Sequence, residues 1–468
     1  MDSTRPAAHV PGELPRALNL LDSTLLVVGL GIGTGIFLTT GIMAEHLPSL
    51  SWLMVVWAAG GLLTLAGALT YAELGAMMPA AGGQYVYLRE AYGDLAAFLF
   101  GWFALLVYQS GGNAALAVGF AEYFGYFFPS LGMQNLLHEV TIGGHLFRIS
   151  AGHFTAVAAI ILLTWVNIRG LREGAILSNI LSAAKIGAIG AFVLLGFAVA
   201  APAAAPAVAD GSPAGPAAGF DLARGLGLAI IAVLWTYDGW NTFSFSAGEV
   251  KNPSRNIPMA LMLGTGLITV LYLAVNAAYM RALPISEMAG VTRIAEHAAQ
   301  ALWGPGSATL ISAAIALSGF GCLHGNILVG ARVYYAMARD RIFFRSVGRV
   351  HPRHLTPATA LIVQGVWSCL LTLSGQYEQL FTFAVFAGML MYAASAATVF
   401  TLRRARPDAP RPYRAWGYPI VPGLYIAALG VIIASTIYTR PVESIAGLAL
   451  IAAGLPAYWF FRRGKLAA

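Results

Sequence analysis

Residues 25–38 read LLVVGLGIGTGIFL, with glycines at 29, 31, 33 and 35 inside an apolar run. That spacing resembles a phosphate-binding loop. A dinucleotide fold, however, needs a strand, a Gly turn and a helix within a soluble βαβ unit, and no Gly-Lys-Ser/Thr follows to make a P-loop. Small residues can also let helices approach closely, but glycines two apart wrap around a helix instead of lining one face. They weaken it, at about 1 kcal/mol each. Glycine allows the backbone to unwind, and unpaired backbone is tolerated at membrane depth where it lines a wet cavity. The stretch therefore reads as a membrane helix interrupted near its middle. The freed N–H groups of the second half then face an anionic group, helped by the helix dipole.

The rest of the chain agrees. Of 468 residues, 58% are hydrophobic and only 10% charged, against about a quarter charged in soluble domains. No soluble fold of this length could bury so many apolar side chains, so the chain reads as a polytopic membrane protein. Twelve spans are expected, at 19–43, 50–78, 95–128, 152–168, 175–200, 222–247, 258–280, 306–338, 357–374, 380–402, 418–438 and 442–461. With the amino terminus inside, inside segments hold 21 of the 27 Lys and Arg residues, outside segments hold 5, and Lys185 lies within a span. That bias places both termini in the cytoplasm.

Residues 1–18 read as a short polar cytoplasmic tail, not a cleavable signal. Residues 129–151 form a longer outside loop and 201–219 an extracytoplasmic Ala/Pro/Gly loop. Residues 403–417 are a basic, Pro-rich cytoplasmic loop, and 462–468 the cytoplasmic C-terminal tail. The net charge of +7 follows from the inside bias, and no nucleic-acid partner is expected. Cys322 and Cys369 lie in apolar segments and have neither disulfide nor metal spacing. No cofactor or metal is expected.

A fold with two inverted halves needs a second interruption five spans later. The sixth span reads LWTYDGWNTFSFSAGE, residues 234–249. Asp238-Gly239 falls in the middle of an apolar run. An intramembrane Asp is expensive and functional by default, and the glycine beside it supplies the break.

GIGTGIF (31–37), YDGWNTFSFSAGEVKNPSRNIP (237–258) and GARVYYAMARDRIF with HPRHLTPATA (330–343, 351–360) resemble the amino acid–polyamine–organocation superfamily. The resemblance is nearest to bacterial members similar to L-type amino acid transporter light chains, and it spans nearly the whole chain. It implies an all-α, leucine-transporter-like fold of twelve transmembrane helices with helices 1 and 6 broken. Residues 19–200 and 220–402 would be inverted repeats of five spans, with 418–461 peripheral. It implies α-amino acid substrates carried across a bacterial inner membrane by alternating access, usually as exchange.

The stretch Gly31, Ile32, Gly33, Thr34, Gly35 and Ile36 matches the backbone that holds the substrate carboxylate. The carbonyls of Trp235 and Asp238 match those receiving the α-amino group. Thr236, Tyr237, Gly239 and Asn241 join them as candidate contacts, and Trp235 matches an aromatic gate. A zwitterion needs donors at one end and acceptors at the other, and helix ends provide both. Light chains in eukaryotes carry a cysteine in the loop between spans 3 and 4. Residues 129–151 have none, so no disulfide-linked heavy subunit is expected. The usual Gly-Ser-Gly is Gly-Thr-Gly here, and the extra methyl of Thr34 is expected to tighten the pocket.

Lys185 lies deep in span 5. It either snorkels or, as the resemblance implies for sodium-independent members, is a fixed cation replacing sodium between spans 1 and 5; proton coupling is left open. Asp238 either caps the broken span or pairs with a cationic substrate. Gln109, Asn113, Asn179 and Asn326 are read as interhelical hydrogen-bonders, Asn113 and Asn326 also as pocket-lining candidates. His324 is read as packing. Glu73, Arg89, Glu249, Arg332 and Asp340 form a solvated rim or a gating network.

The expected activity is sodium-independent exchange of small neutral L-amino acids. The alternatives are a proton-coupled importer or an exchanger of basic amino acids or polyamines. An enzyme lacks a catalytic constellation here, a receptor lacks a signalling domain, and a channel does not require breaks in spans 1 and 6 together.

Overall fold

A computed structural model describes residues 14–142, 145–199, 220–291, 293–374, 377–439 and 441–466. The expected loop at 201–219 and most of the N-terminal tail lie outside them. Span 1 is α1 (Leu20–Gly31), a 3-10 turn (Gly35–Phe37) and α2 (Thr39–Ala44). Next come α3 (Leu50–Met77), a short α4 (Gln84–Tyr92), and span 3 as α5 (Asp94–Phe103) and α6 (Gln109–Phe127). The hairpin β1 (Leu136–Ile142) and β2 (His145–Ser150) leads to α7 (Ala151–Arg169) and α8 (Leu171–Ala198). Span 6 is α9 (Phe220–Thr236) and a 3-10 segment (Trp240–Glu249), followed by α10 (Pro253–Ala282). Two short helices, α11 (Ile285–Met288) and α12 (Ile294–Trp303), precede α13 (Ser307–Arg339), α14 (Ala358–Ser374) and α15 (Tyr377–Ala405). The chain closes with α16 (Ile420–Thr439), α17 (Pro441–Ala452) and α18 (Gly454–Leu466).

Among the described residues, ten helical stretches are long and apolar enough to cross a membrane, and Leu20–Gly31 and Ala358–Ser374 are shorter apolar helices. The first is short because span 1 is interrupted. Its start is fixed locally: Asn19 and Asp22 each accept the other's backbone N–H at 2.9 Å, a reciprocal cap that satisfies two otherwise orphan donors. Asn179 of α8 donates to the same Asp22 at 2.6 Å.

Packing pairs elements five spans apart. α1 lies against the 3-10 half of span 6, α3 against α10, α6 against α13, and α7 against α14. Two five-span halves facing each other produce that pairing. The best membrane windows of span 3 and α13 are 72% and 67% buried inside the protein, and those of the last two spans only 22%. Spans 11 and 12 are therefore peripheral, and their outward Leu and Val side chains suit lipid.

Two features depart from the sequence reading. Residues 136–150 are a strand pair in which Glu139 faces Arg148, their ion pair at 3.2 Å. Gly143-Gly144 between two apolar runs is the hairpin signal. Span 3 also contains a π-turn, Ala104–Tyr108. Such turns recur at functional sites because they re-aim side chains, and the side chain re-aimed here is Tyr108.

Candidate functional site

The two interruptions lie against each other. Ile32 leaves α1 with φ −92° and ψ 95°, and helix resumes only at Thr39. α9 stops at Thr236, and Gly239 takes φ +103°. A Cβ on Gly35 would sit 3.0 Å from Thr236 Oγ1, and one on Gly239 would run into Leu30 O. Glycine at both positions is what lets the breaks touch.

A helix end leaves carbonyls unpartnered. Here three other spans supply the donors. Lys185 Nζ of α8 donates to Gly29 O and Ile32 O, both at 2.8 Å. Tyr272 of α10 donates to Gly31 O at 2.8 Å and to Thr236 O at 3.2 Å, bridging both breaks. Ser318 of α13 reaches Gly33 O at 3.0 Å, and Cys322 Sγ reaches Leu30 O at 3.3 Å. Lys185 is 1% exposed, so it does not snorkel. Its charge is compensated by the negative end of a half-helix. On the other side of the break, the N–H groups of Gly33, Thr34 and Gly35 have no backbone acceptor among the described residues.

Asp238 follows a different pattern. Its carboxylate accepts from Tyr108 and from Tyr392, each at 2.7 Å, and the two hydroxyl oxygens lie against each other. Tyr108 comes from the π-turn of span 3 and Tyr392 from α15. A cavity borders this clamp, lined by Asp238, Trp235, Trp240, Tyr108 and Tyr392 among others. The glycine loop is not part of its lining.

Other candidate residues are placed elsewhere. Tyr237 turns away to bond Trp57 O at 3.3 Å and stack among Trp57 and Tyr272. Thr236 bonds Thr39 at 2.8 Å. Ile32 and Ile36 are buried. Asn241 is buried, with its amide beside the Asp238 carboxyl and the Tyr392 hydroxyl. Asn113 donates to Ser368 on α14 at 3.3 Å, and neither it nor Asn326 lines the cavity. The Thr34 methyl lies 3.4 Å from where a Gly319 Cβ would be and 3.9 Å from that of Gly119. It fills a notch between spans 3 and 8. His324 bonds Gly174 O at 2.8 Å and Asn167 at 3.3 Å, which fits packing.

The five charged residues expected as a rim or gate are paired. Arg332 and Glu249, 1% and 0% exposed, form a two-pronged pair at 2.8 and 2.9 Å. The N–H groups of Ala17 and Leu18 donate to Glu249 O at 2.8 and 2.9 Å, clasping the N-terminal segment. Arg403 grips Glu73 at 2.9 and 2.6 Å. Arg89 bridges Asp94 and Asp340 at 3.1 and 2.8 Å, and Tyr85 donates to Asp340 at 2.7 Å. Burial, with Asp340 beside it, holds that Tyr85 hydroxyl protonated far above the ordinary phenol range. A solvated rim does not describe Glu73, Glu249 or Arg332.

Tyr272, Ser318, Tyr108 and Tyr392 carry no mark in the sequence reading, and Cys322 is weighed there only for disulfide or metal spacing. Tyr272 and Tyr279 stand seven apart on one face of α10, and Tyr279 donates to Ile36 O at 3.4 Å. That spacing was the available signal.

Residues 18–459 match the family model described as amino acid permease. The serine/threonine exchanger SteT of Bacillus subtilis is 30% identical over 97% of this chain and 98% of its own length. The b(0,+)-type amino acid transporter 1 of Mus musculus is 29% identical over 96% of this chain and 88% of its own. The large neutral amino acids transporter small subunit 2 of Homo sapiens is 27% identical over 95% and 80%. With a helix broken at glycines, a second broken at Asp238-Gly239, and a family match covering nearly its whole length, the chain belongs to the amino acid permease family of the amino acid–polyamine–organocation superfamily.

Proposed function

We propose that this chain exchanges small neutral L-amino acids across a bacterial cytoplasmic membrane, by alternating access and without sodium. The observation that carries this reading is the chemistry of the two breaks. Span 1 presents the N–H groups of Gly33, Thr34 and Gly35 without backbone acceptors, suited to a carboxylate. Span 6 ends in the carbonyls of Trp235 and Asp238, suited to an ammonium. Lys185 takes the carbonyls that a sodium ion would need. Asp238 already has a hydroxyl on each carboxylate oxygen, so part of its capacity for a cationic side chain is taken, which favours neutral substrates. Exchange accords with the activity named for SteT. In this reading residues 19–200 and 220–402 are the inverted repeats, both termini are cytoplasmic, Trp235 is the gate, and no disulfide-linked subunit is needed.

The test is uptake of radiolabelled L-alanine into proteoliposomes, either empty or preloaded with unlabelled L-serine, in sodium and in choline buffers. Uptake should require preloading and ignore sodium, and internal L-lysine should fail to drive it. Uptake into empty vesicles on an inward proton gradient would make the protein an importer instead. Exchange against lysine would make Asp238 the subsite for a basic substrate.

A further inference from the structure

Some arginines of the basic face are paired with acids and others are not. Arg89, Arg332, Arg403, Arg406 and Arg411 all pair with Asp or Glu. Arg339, Arg341 and Arg345 are exposed, and no ion pair involves them among the described residues. Asp340, between the first two, is turned toward Arg89 and Tyr85. The three arginines line one open concavity of about 550 Å³, closed by Ala338 and Gly348, with no acidic residue in its wall.

The backbone is shaped to hold one of them there. α13 ends with Ile342 N–H on Met337 O and Arg341 N–H on Ala338 O, both at 3.1 Å. This is the two-bond C-cap in which the left-handed position is normally Gly. Here that position is Arg341, with φ +62°. A side chain in left-handed conformation is strained, and such strain clusters at functional positions.

The concavity also sits at an interfacial belt. Phe344, 56% exposed, packs edge-on against Phe461 of α18 at 4.9 Å, and Phe343, also between Arg341 and Arg345, lies tilted against the same ring at 5.4 Å. Trp459 and Phe460 beside it are exposed, and Arg462 lies over the Trp459 ring. Exposed aromatics next to arginines mark the level of lipid headgroups.

We propose that Arg339, Arg341 and Arg345 form a binding site for a phosphate anion, as presented by the headgroup of an anionic phospholipid. Planar guanidinium groups suit phosphate oxygens, and three without counter-charges leave a site that a zwitterionic headgroup satisfies less well. The proposed orientation decides only which leaflet supplies the lipid; binding itself does not depend on it, or on the transport activity.

The test is native mass spectrometry of the purified full chain titrated with phosphatidylglycerol or phosphatidylcholine. The variant is Arg339→Gln/Arg341→Gln/Arg345→Gln. The charge-matched control is Arg255→Gln/Arg404→Gln/Arg414→Gln, all exposed positions of the same face. An arginine beside an anionic headgroup is worth about fivefold in affinity; because only Arg339, Arg341 and Arg345 converge on one concavity, the cluster variant should lose at least about tenfold in phosphatidylglycerol binding, and the control clearly less. Equal losses in the two variants, or no loss in either, would overturn the site. Inorganic phosphate is the second probe. If it displaces phosphatidylglycerol from the wild type, the site serves free phosphate-type anions; if it does not, the headgroup is the ligand.

Discussion

The break in span 1 and the break in span 6 solve one problem with opposite chemistry. Each opens a helix at membrane depth and must satisfy what it exposes. Span 1 does so with imported donors: Lys185, Tyr272, Ser318 and Cys322 cap five successive carbonyls from Gly29 to Gly33. Span 6 carries an acid of its own, Asp238, and imports two hydroxyls to hold it. Lys185 rests on backbone oxygens and the Asp238 carboxyl on tyrosines, and neither has a direct ion pair among the described residues. A buried charge is tolerated when hydrogen bonds replace its hydration. The lesson is that an amino acid permease can keep both groups apart, with the interrupted backbone of the two breaks between them.

Removing the cation should break the comparison most severely. Lys185→Met keeps the stem, which packs against Gly321, but strips Gly29 O of its donor. Two charge-assisted hydrogen bonds are worth about 1.5–3 kcal/mol each. Exchange should fall by at least about a hundredfold, as tenfold corresponds to about 1.4 kcal/mol. Counterflow rates in proteoliposomes check this, and near-wild-type exchange would show that span 1 needs no buried cation. Gly239→Ala comes next. The new methyl would clash with Leu30 O and sit in a left-handed conformation, costing about 1–2 kcal/mol for the backbone alone. Its melting temperature should drop, with exchange down tenfold or more by the same conversion. Opening the tyrosine clamp is third. Tyr108→Phe with Tyr392→Phe frees both oxygens of Asp238, so internal lysine should begin to drive alanine uptake while alanine exchange slows by about tenfold. If lysine still fails, the clamp does not set the charge preference.

How far these features were legible follows from what each costs in a membrane. Gly31–Gly35, Asp238-Gly239 and Lys185 stand out because a weakened helix or a buried charge is rare in an apolar run. The pairing of spans 1 and 6 could be read for the same reason. The tyrosine clamp could not. Tyr108 and Tyr392 are 130 and 154 residues from Asp238, and one hydroxyl in an apolar helix raises no alarm. The π-turn that aims Tyr108 has no sequence mark at all. Asn113 reads as an interhelical hydrogen-bonder because it is polar in an apolar helix, and it bonds Ser368 on α14; which helix it bonds could not be read. Ion pairs such as Glu249–Arg332 join residues 83 apart, so their charges read as rim until the fold brings them inside.

The smallest effect separates capping from chemical identity in span 1. Cys322 gives Leu30 O its side-chain donor, a thiol at 3.3 Å, and it lies under the unwound loop, 3.7 Å from where a Gly33 Cβ would be. Cys322→Ser keeps a donor and improves it, since a hydroxyl bonds more strongly than a thiol, at the loss of some packing volume. Exchange should stay within about twofold of wild type, as expected when no named destabilising mechanism is engaged. Cys322→Ala removes the donor and leaves a buried carbonyl short of a partner, which costs about 1–3 kcal/mol, so its melting temperature should fall below that of the serine variant. If alanine and serine behave alike, the carbonyls of α1 do not each need a donor, and the contrast between the two breaks narrows to Lys185 and Tyr272 against Asp238.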